Sequence, residues 1–210
     1  MQGLTIMTTD PPDPTGGRAT RADGRRSRAA LRGAALGLFR QHGFGGVSLA
    51  QIAEVAGTQP SQVAYHFGSK QGLFIEAACR AALEVAQEVE VAGADAQTPT
   101  GYADAIVHAA ANSADLALFA EAMLMVHRDP QHLALVSTTL GRLHDQGEKA
   151  VRRTLAARGW TTTASPRVEA ESFWSLMIGL SLEHLVTTRE DRLAESAARL
   201  IMLIHLPGNR

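Results

Sequence analysis

Residues 43–74, GFGGVSLAQIAEVAGTQPSQVAYHFGSKQGLF, concentrate side chains suited to meeting a nucleic acid. Thr58, Gln59, Ser61 and Gln62 fall at the leading end of a short helical segment. At such a position a glutamine amide can pair bidentately with adenine, and Ser or Thr can serve either a base or a phosphate. Tyr65, His66 and Lys70 lie further along, where polar contacts to phosphates set register without reading sequence. A cation in the first turn of the next helix opposes the macrodipole, so Lys70 is expected to face an outside anion, a phosphate first of all. Ser48 has two roles open to it: a helix cap alone, or a cap that also bonds a phosphate.

Those groups need elements to hold them. Val47, Ile52, Ala53, Val55 and Val63 are spaced to close a small helical core. Ser48 and Gln51 form an S-x-x-Q capping box at the head of one helix. Gly57 supplies the positive φ that lets the chain leave it. Pro60 suits the first turn of a second helix, with Gln59 or Thr58 as cap, and Gly68 stops that helix before Ser69 starts another. Upstream, a helix over 26–42 ends at Gly43 and carries Ala30, Leu31, Ala34, Ala35, Leu38 and Phe39 on its inner side. Phe44 and Phe67 are expected as core plugs. Helix, glycine turn and crossing helix make the motif that seats its second helix in a DNA major groove.

The stretch resembles the N-terminal domain of the TetR/AcrR family of transcriptional regulators. Ala30, Ala34, Leu38 and Phe39 carry the resemblance, with Gly43-Phe44-Gly45, Val47-Ser48, Ile52-Ala53, Ala56-Gly57, Tyr65 through Lys70, and Leu73-Phe74. It covers about residues 26 to 75. Ala64 stands where the family commonly has an aromatic residue, which leaves the polar contacts there to Tyr65 and His66. The resemblance implies an all-α protein in two parts. A three-helix DNA-binding domain with its helix-turn-helix would occupy 23–70, and a helical ligand-binding and dimerisation domain 71–210. It further implies a homodimeric repressor on a pseudo-palindromic, double-stranded operator, released by a small-molecule effector.

Composition agrees. The 210 residues are rich in Ala and Leu and nearly free of alternating β-branched runs, as an all-helical chain would be. The net charge of −1 hides an asymmetry: residues 1–70 hold 8 basic against 4 acidic side chains, and residues 71–210 hold 12 against 17. A polyanion partner is therefore expected for the first part only. A DNA-architectural protein would carry basic charge throughout. Residues 1–22 are punctuated by Pro, Gly, Thr and Asp and are expected to be disordered. Arg18, Arg21, Arg25, Arg26 and Arg28 follow, either as an arm on the DNA backbone or minor groove or as a solvated tail.

Enzyme chemistry finds little support. No phosphate-binding glycine loop, dinucleotide fingerprint, H-E-x-x-H or G-x-S-x-G occurs, and Cys79 is a lone cysteine with no activating base in view. An all-α enzyme is the rival class. His108, His127, His132, His144 and His184, with Glu121 or Glu183, form no recognised ligand spacing, so neither metal nor cofactor is expected. No apolar stretch reaches membrane-spanning length, and a cytoplasmic protein without membrane partners is expected.

Further helices are expected over 71–91, 102–113, 116–128, 131–158, 166–186 and 189–205, with a loop at 92–101. In the family the last two helices form the dimer surface, which here implies Leu182, Leu185, Leu193, Ala197, Leu200, Ile201 and Ile204. The helix over 166–186 is apolar nearly all round, which suits either a dimer or a central helix buried within one chain. Candidate effector-pocket liners are Tyr102, Ile106, Phe119, Met123, Leu143, Trp174 and Met177, with ordinary core packing as the alternative for each.

Overall fold

The computed structural model describes the backbone of residues 16–111 and 113–186, with side chains from Asp23 onward. Its helices are α1 (Gly16–His42), α2 (Leu49–Val55), α3 (Ser61–Phe67), α4 (Lys70–Ala94), α5 (Pro99–Ala111), α6 (Asp115–Arg128), α7 (Leu133–Arg158) and α8 (Pro166–His184). A single 3₁₀ turn, Pro130–His132, precedes α7. No strand occurs among the described residues, and no single helix there is long and apolar enough to cross a membrane.

Helices α1 to α3 close around Leu31, Ala35, Phe39, Val47, Ile52, Val63 and Phe67, all buried. Phe39, Phe44 and Phe74 pack edge-on or tilted at centroid distances of 5.0 to 6.0 Å, joining this head to α4. Helix α4 is the spine of the molecule. Its first turns meet α1 and α3, and the rest is flanked by α5, α6 and α7. That explains why Leu73, Phe74 and Ile75 are buried in succession, which no two-sided helix would allow. Helices α7 and α8 pair against each other, and α8 also meets α6 and α5.

Several expectations need correction. The first helix begins at Gly16, ten residues before the expected start, so 16–22 are helical; residues 1–15 lie outside the described part. Ala30 faces solvent, and Val55 is 63% exposed rather than part of the small core. Val89 faces inward, whereas Val91 is exposed. The loop expected at 92–101 shrinks to 95–98. Gly93 is the reason: it stays inside α4 because a methyl there would lie 2.6 Å from the Tyr102 ring. Its missing side chain admits α5 rather than ending α4.

Within one chain α8 buries Ala170, Phe173, Trp174, Met177, Ile178 and Leu180. Packing by α5, α6 and α7 therefore accounts for most of its apolar surface. Leu182 and Leu185, at its far end, are 37% and 66% exposed. Leu193, Ala197, Leu200, Ile201 and Ile204 lie outside the described residues.

Candidate nucleic-acid interface and internal cavity

The helix-turn-helix is set by its caps. Ser48 Oγ accepts from Gln51 N at 3.2 Å while Gln51 Oε1 accepts from Ser48 N at 2.8 Å, a complete capping box. At the other end of α2, Thr58 N donates to Ala53 O and Gly57 N to Glu54 O, with Gly57 at φ 62°. This pair of bonds is a Schellman turn, and it fixes the direction in which the chain enters α3. Neither Thr58 nor Gln59 caps α3. Pro60 takes the cap position without a side-chain bond, and the helix opens on Gln62 N to Gln59 O and Val63 N to Pro60 O. Those short-range bonds satisfy the first amides, so no hydroxyl cap is needed.

Helix α3 buries Val63 and Phe67 and turns its other side outward. Gln59, Ser61 and Tyr65 are exposed, Tyr65 to 79%, while Thr58 and Gln62 are half-buried. Ser48 is exposed at the head of α2. Two candidate phosphate contacts are placed otherwise than expected. The Lys70 ammonium lies 4.4 Å from the Phe44 ring centroid, a cation–π contact that meets part of its need for negative potential within the chain. His66 is half-buried between the rings of Tyr65 and Phe67, and its Nε2 is buried without a hydrogen-bond partner. Only its other ring nitrogen remains to meet an outside group.

Arg28 also departs from the basic-arm reading. Its guanidinium makes a two-pronged pair with Glu76 and sits 5.0 Å from the Phe67 centroid. Arg32 reaches the same carboxylate at 3.3 Å. Both arginines therefore bind α1 to α4. Arg26 pairs with Asp23 at 3.8 Å, and Arg25 is exposed.

Behind the head, a cavity of about 90 Å³ lies among α4, α5, α7 and α8. Of the candidate liners, Tyr102, Ile106 and Trp174 stand in its wall. Phe119, Leu143 and Met177 instead fill the core completely, and Met123 packs against it half-buried. At one edge of it α7 and α8 approach closely: a methyl on Gly147 would stand 2.9 Å from Ala170 Cβ and 3.1 Å from Trp174 Nε1. The legible signal was Gly147, Ala150 and Val151 on one face of α7, not the Met and Phe positions. Burial pushes the Tyr102 phenol above its ordinary range, opposed by its hydrogen bond with Thr154. Among the described residues no three His, Cys, Asp or Glu side chains converge as metal ligands.

A helix-turn-helix head on a separate helical body with an internal cavity defines a DNA-binding regulator, not an enzyme. Comparison with known proteins identifies the kind. Residues 31–77 match the family described as bacterial regulatory proteins, tetR family, and residues 99–203 match the bacterial transcriptional repressor C-terminal family. A crystal structure from Rhodococcus sp. RHA1 is 37% identical, covers 86% of this chain and 96% of its own, and superposes with a TM-score of 0.77. The HTH-type transcriptional regulator RutR of Escherichia coli K12 is 44% identical over 63 residues, 27% of this chain and 30% of RutR. RaaS, an HTH-type transcriptional regulatory protein of Mycobacterium tuberculosis, is 51% identical over 47 residues, 22% of each chain. The match thus spans less than a third of these curated relatives. The chain belongs to the TetR family of bacterial transcriptional regulators.

Proposed function

We propose that this regulator is a repressor that binds a pseudo-palindromic operator as a homodimer and leaves it when a small molecule fills the cavity. Residues 23–70 are the DNA-binding unit in this reading, and 71–210 the effector-binding and dimerisation unit. The supporting observation is the split of α3: Val63 and Phe67 are buried, and Gln59, Ser61 and Tyr65 are held outward by a capped and glycine-terminated scaffold. Dimerisation would space the two α3 helices by about one helical turn of DNA, ~34 Å, or a multiple. The effector acts only through its difference in affinity between the DNA-bound and free arrangements.

The experiment is selection of bound fragments from the source genome by the purified protein at several salt concentrations. A recurrent inverted repeat, bound by two chains, is the expected result. Weak binding indifferent to sequence and lost at modest salt would overturn the operator reading.

A further inference from the structure

The cavity wall carries one charged group that its own chain leaves without a counter-charge. Trp174 is 2% exposed and its indole Nε1 is sealed close against Gly147, so it offers the cavity its ring and not its N–H. Glu169, half-buried on the first turn of α8, has one oxygen accepting from the Thr162 hydroxyl at 2.5 Å and no ion-pair partner among the described residues. The dipole of α8 favours an acidic residue at that turn. It does not explain why that carboxylate lines an apolar cavity. Glu90, the other acidic residue at the wall, is already paired with Arg153 at 2.6 Å.

The remaining wall is mostly apolar and aromatic, with Ile106, Phe173 and Trp174; Tyr102, Gln146 and Thr162 are its neutral polar members, and no Lys, Arg or His lines it among the described residues. Such a wall offers an anionic ligand no opposite charge. A cation gains the free carboxylate oxygen and the faces of the rings. At about 90 Å³, below the ~150 Å³ of an engineered apolar cavity that holds a benzene, the volume limits the buried part to at most one ring.

We infer that the effector is a compact aromatic amine, its ring against Phe173 and Trp174 and its ammonium on Glu169. This rests on the reading of the cavity as the effector site, and deepens it by naming the ligand's charge.

The test uses the full chain without DNA, followed by tryptophan fluorescence and thermal shift. Three probes of nearly equal size are titrated: tyramine, its neutral counterpart 4-(2-hydroxyethyl)phenol, and 4-hydroxyphenylacetate. The amine should bind at least tenfold more tightly than the neutral probe, and the anion more weakly than either. Glu169→Gln keeps shape and an acceptor for Thr162, and should bring the amine down to the neutral probe's affinity. Equal or tighter binding of the anion overturns the charge assignment and leaves the cavity as a ligand site. An amine preference that survives Glu169→Gln overturns the role of that residue. Failure of all three probes to bind at millimolar concentration overturns the inference and the effector cavity together, whatever the operator selection shows.

Discussion

Arg40 on α1 and Asp115 at the start of α6 form a two-pronged ion pair, Nε to Oδ1 at 2.6 Å and Nη2 to Oδ2 at 2.5 Å. It ties the head to the body from the residue next to Phe39, whose ring makes the aromatic contact with Phe74 on α4. The two partners are unequally placed: the Asp115 side chain is 9% exposed and that of Arg40 44%. Removing the arginine strands a buried carboxylate, whereas removing the carboxylate leaves a guanidinium that water can reach. Arg40→Met should therefore cost about 1–3 kcal/mol, and Asp115→Asn distinctly less. Urea unfolding of the two variants checks the order, and a reversed order would show that the pair is not worked by Asp115 burial.

Gly72 stands where α3 hands over to α4. A methyl there would lie 2.2 Å from the Phe67 carbonyl oxygen and 3.1 Å from His132 Nε2. The first contact is backbone and cannot yield by a rotamer change. Gly72→Ala should destabilise the protein by roughly 1–3 kcal/mol, although alanine is the better helix former. An unchanged melting temperature would refute the close approach.

At the DNA face, Tyr65 is the most exposed large side chain of α3, and Gln62 sits half-buried at its leading end. Tyr65→Ala should weaken binding to operator and to unrelated DNA alike and leave the dependence on salt nearly unchanged, since a neutral phenol releases no counterion. Gln62→Ala should instead shift base preference at one position in each half-site. Competition binding against operator variants separates the two. A Tyr65→Ala protein that loses only its sequence preference would exchange these roles.

Cys79 lies buried on α4, where burial above all pushes its thiol up from 9.0 to about 11, against a hydrogen bond with Thr139. A rise of that size means ~100-fold less thiolate at a given pH. Ellman's reagent at pH 8 should label the folded protein at least a hundredfold more slowly than the urea-unfolded chain. Labelling at comparable rates would reopen a redox role for this residue.

Glu121 on α6 is half-buried with no hydrogen bond or ion pair recorded for its side chain, and burial raises its carboxyl above the ordinary 4.5. A raised carboxyl disfavours the ionised folded state, so wild-type stability is lost as pH rises through the folded value. Glu121→Gln should raise the urea midpoint at pH 7.5, with the gap narrowing as pH falls towards 4.5. A gap that widens on acidification would contradict this sign.

The local backbone of the head was legible without coordinates because it depends on residues within one turn of each other. Ser48 and Gln51 announce their capping box three positions apart, and Gly57, Gly68 and Gly159 stand at helix ends with positive φ. The alternation of apolar and polar positions in α3 likewise predicts which face Val63 and Phe67 bury. Other assignments failed because side-chain identity says nothing about a distant neighbour. Arg28 read as part of a DNA arm or of a solvated tail until the fold brought Glu76, 48 residues away, to its guanidinium. Gly93 read as a loop until Tyr102 occupied the space beside it. Large residues such as Phe119 and Leu143 were candidate liners and are core instead, since apolar bulk fills space, and the cavity lies beside Ala150, Val151 and Ala103. Sequence by itself determined the helix-turn-helix, the Ser48 capping box and the family. Tertiary structure alone decided which charges are already paired and where the empty volume lies, because both depend on contacts between residues far apart in the chain.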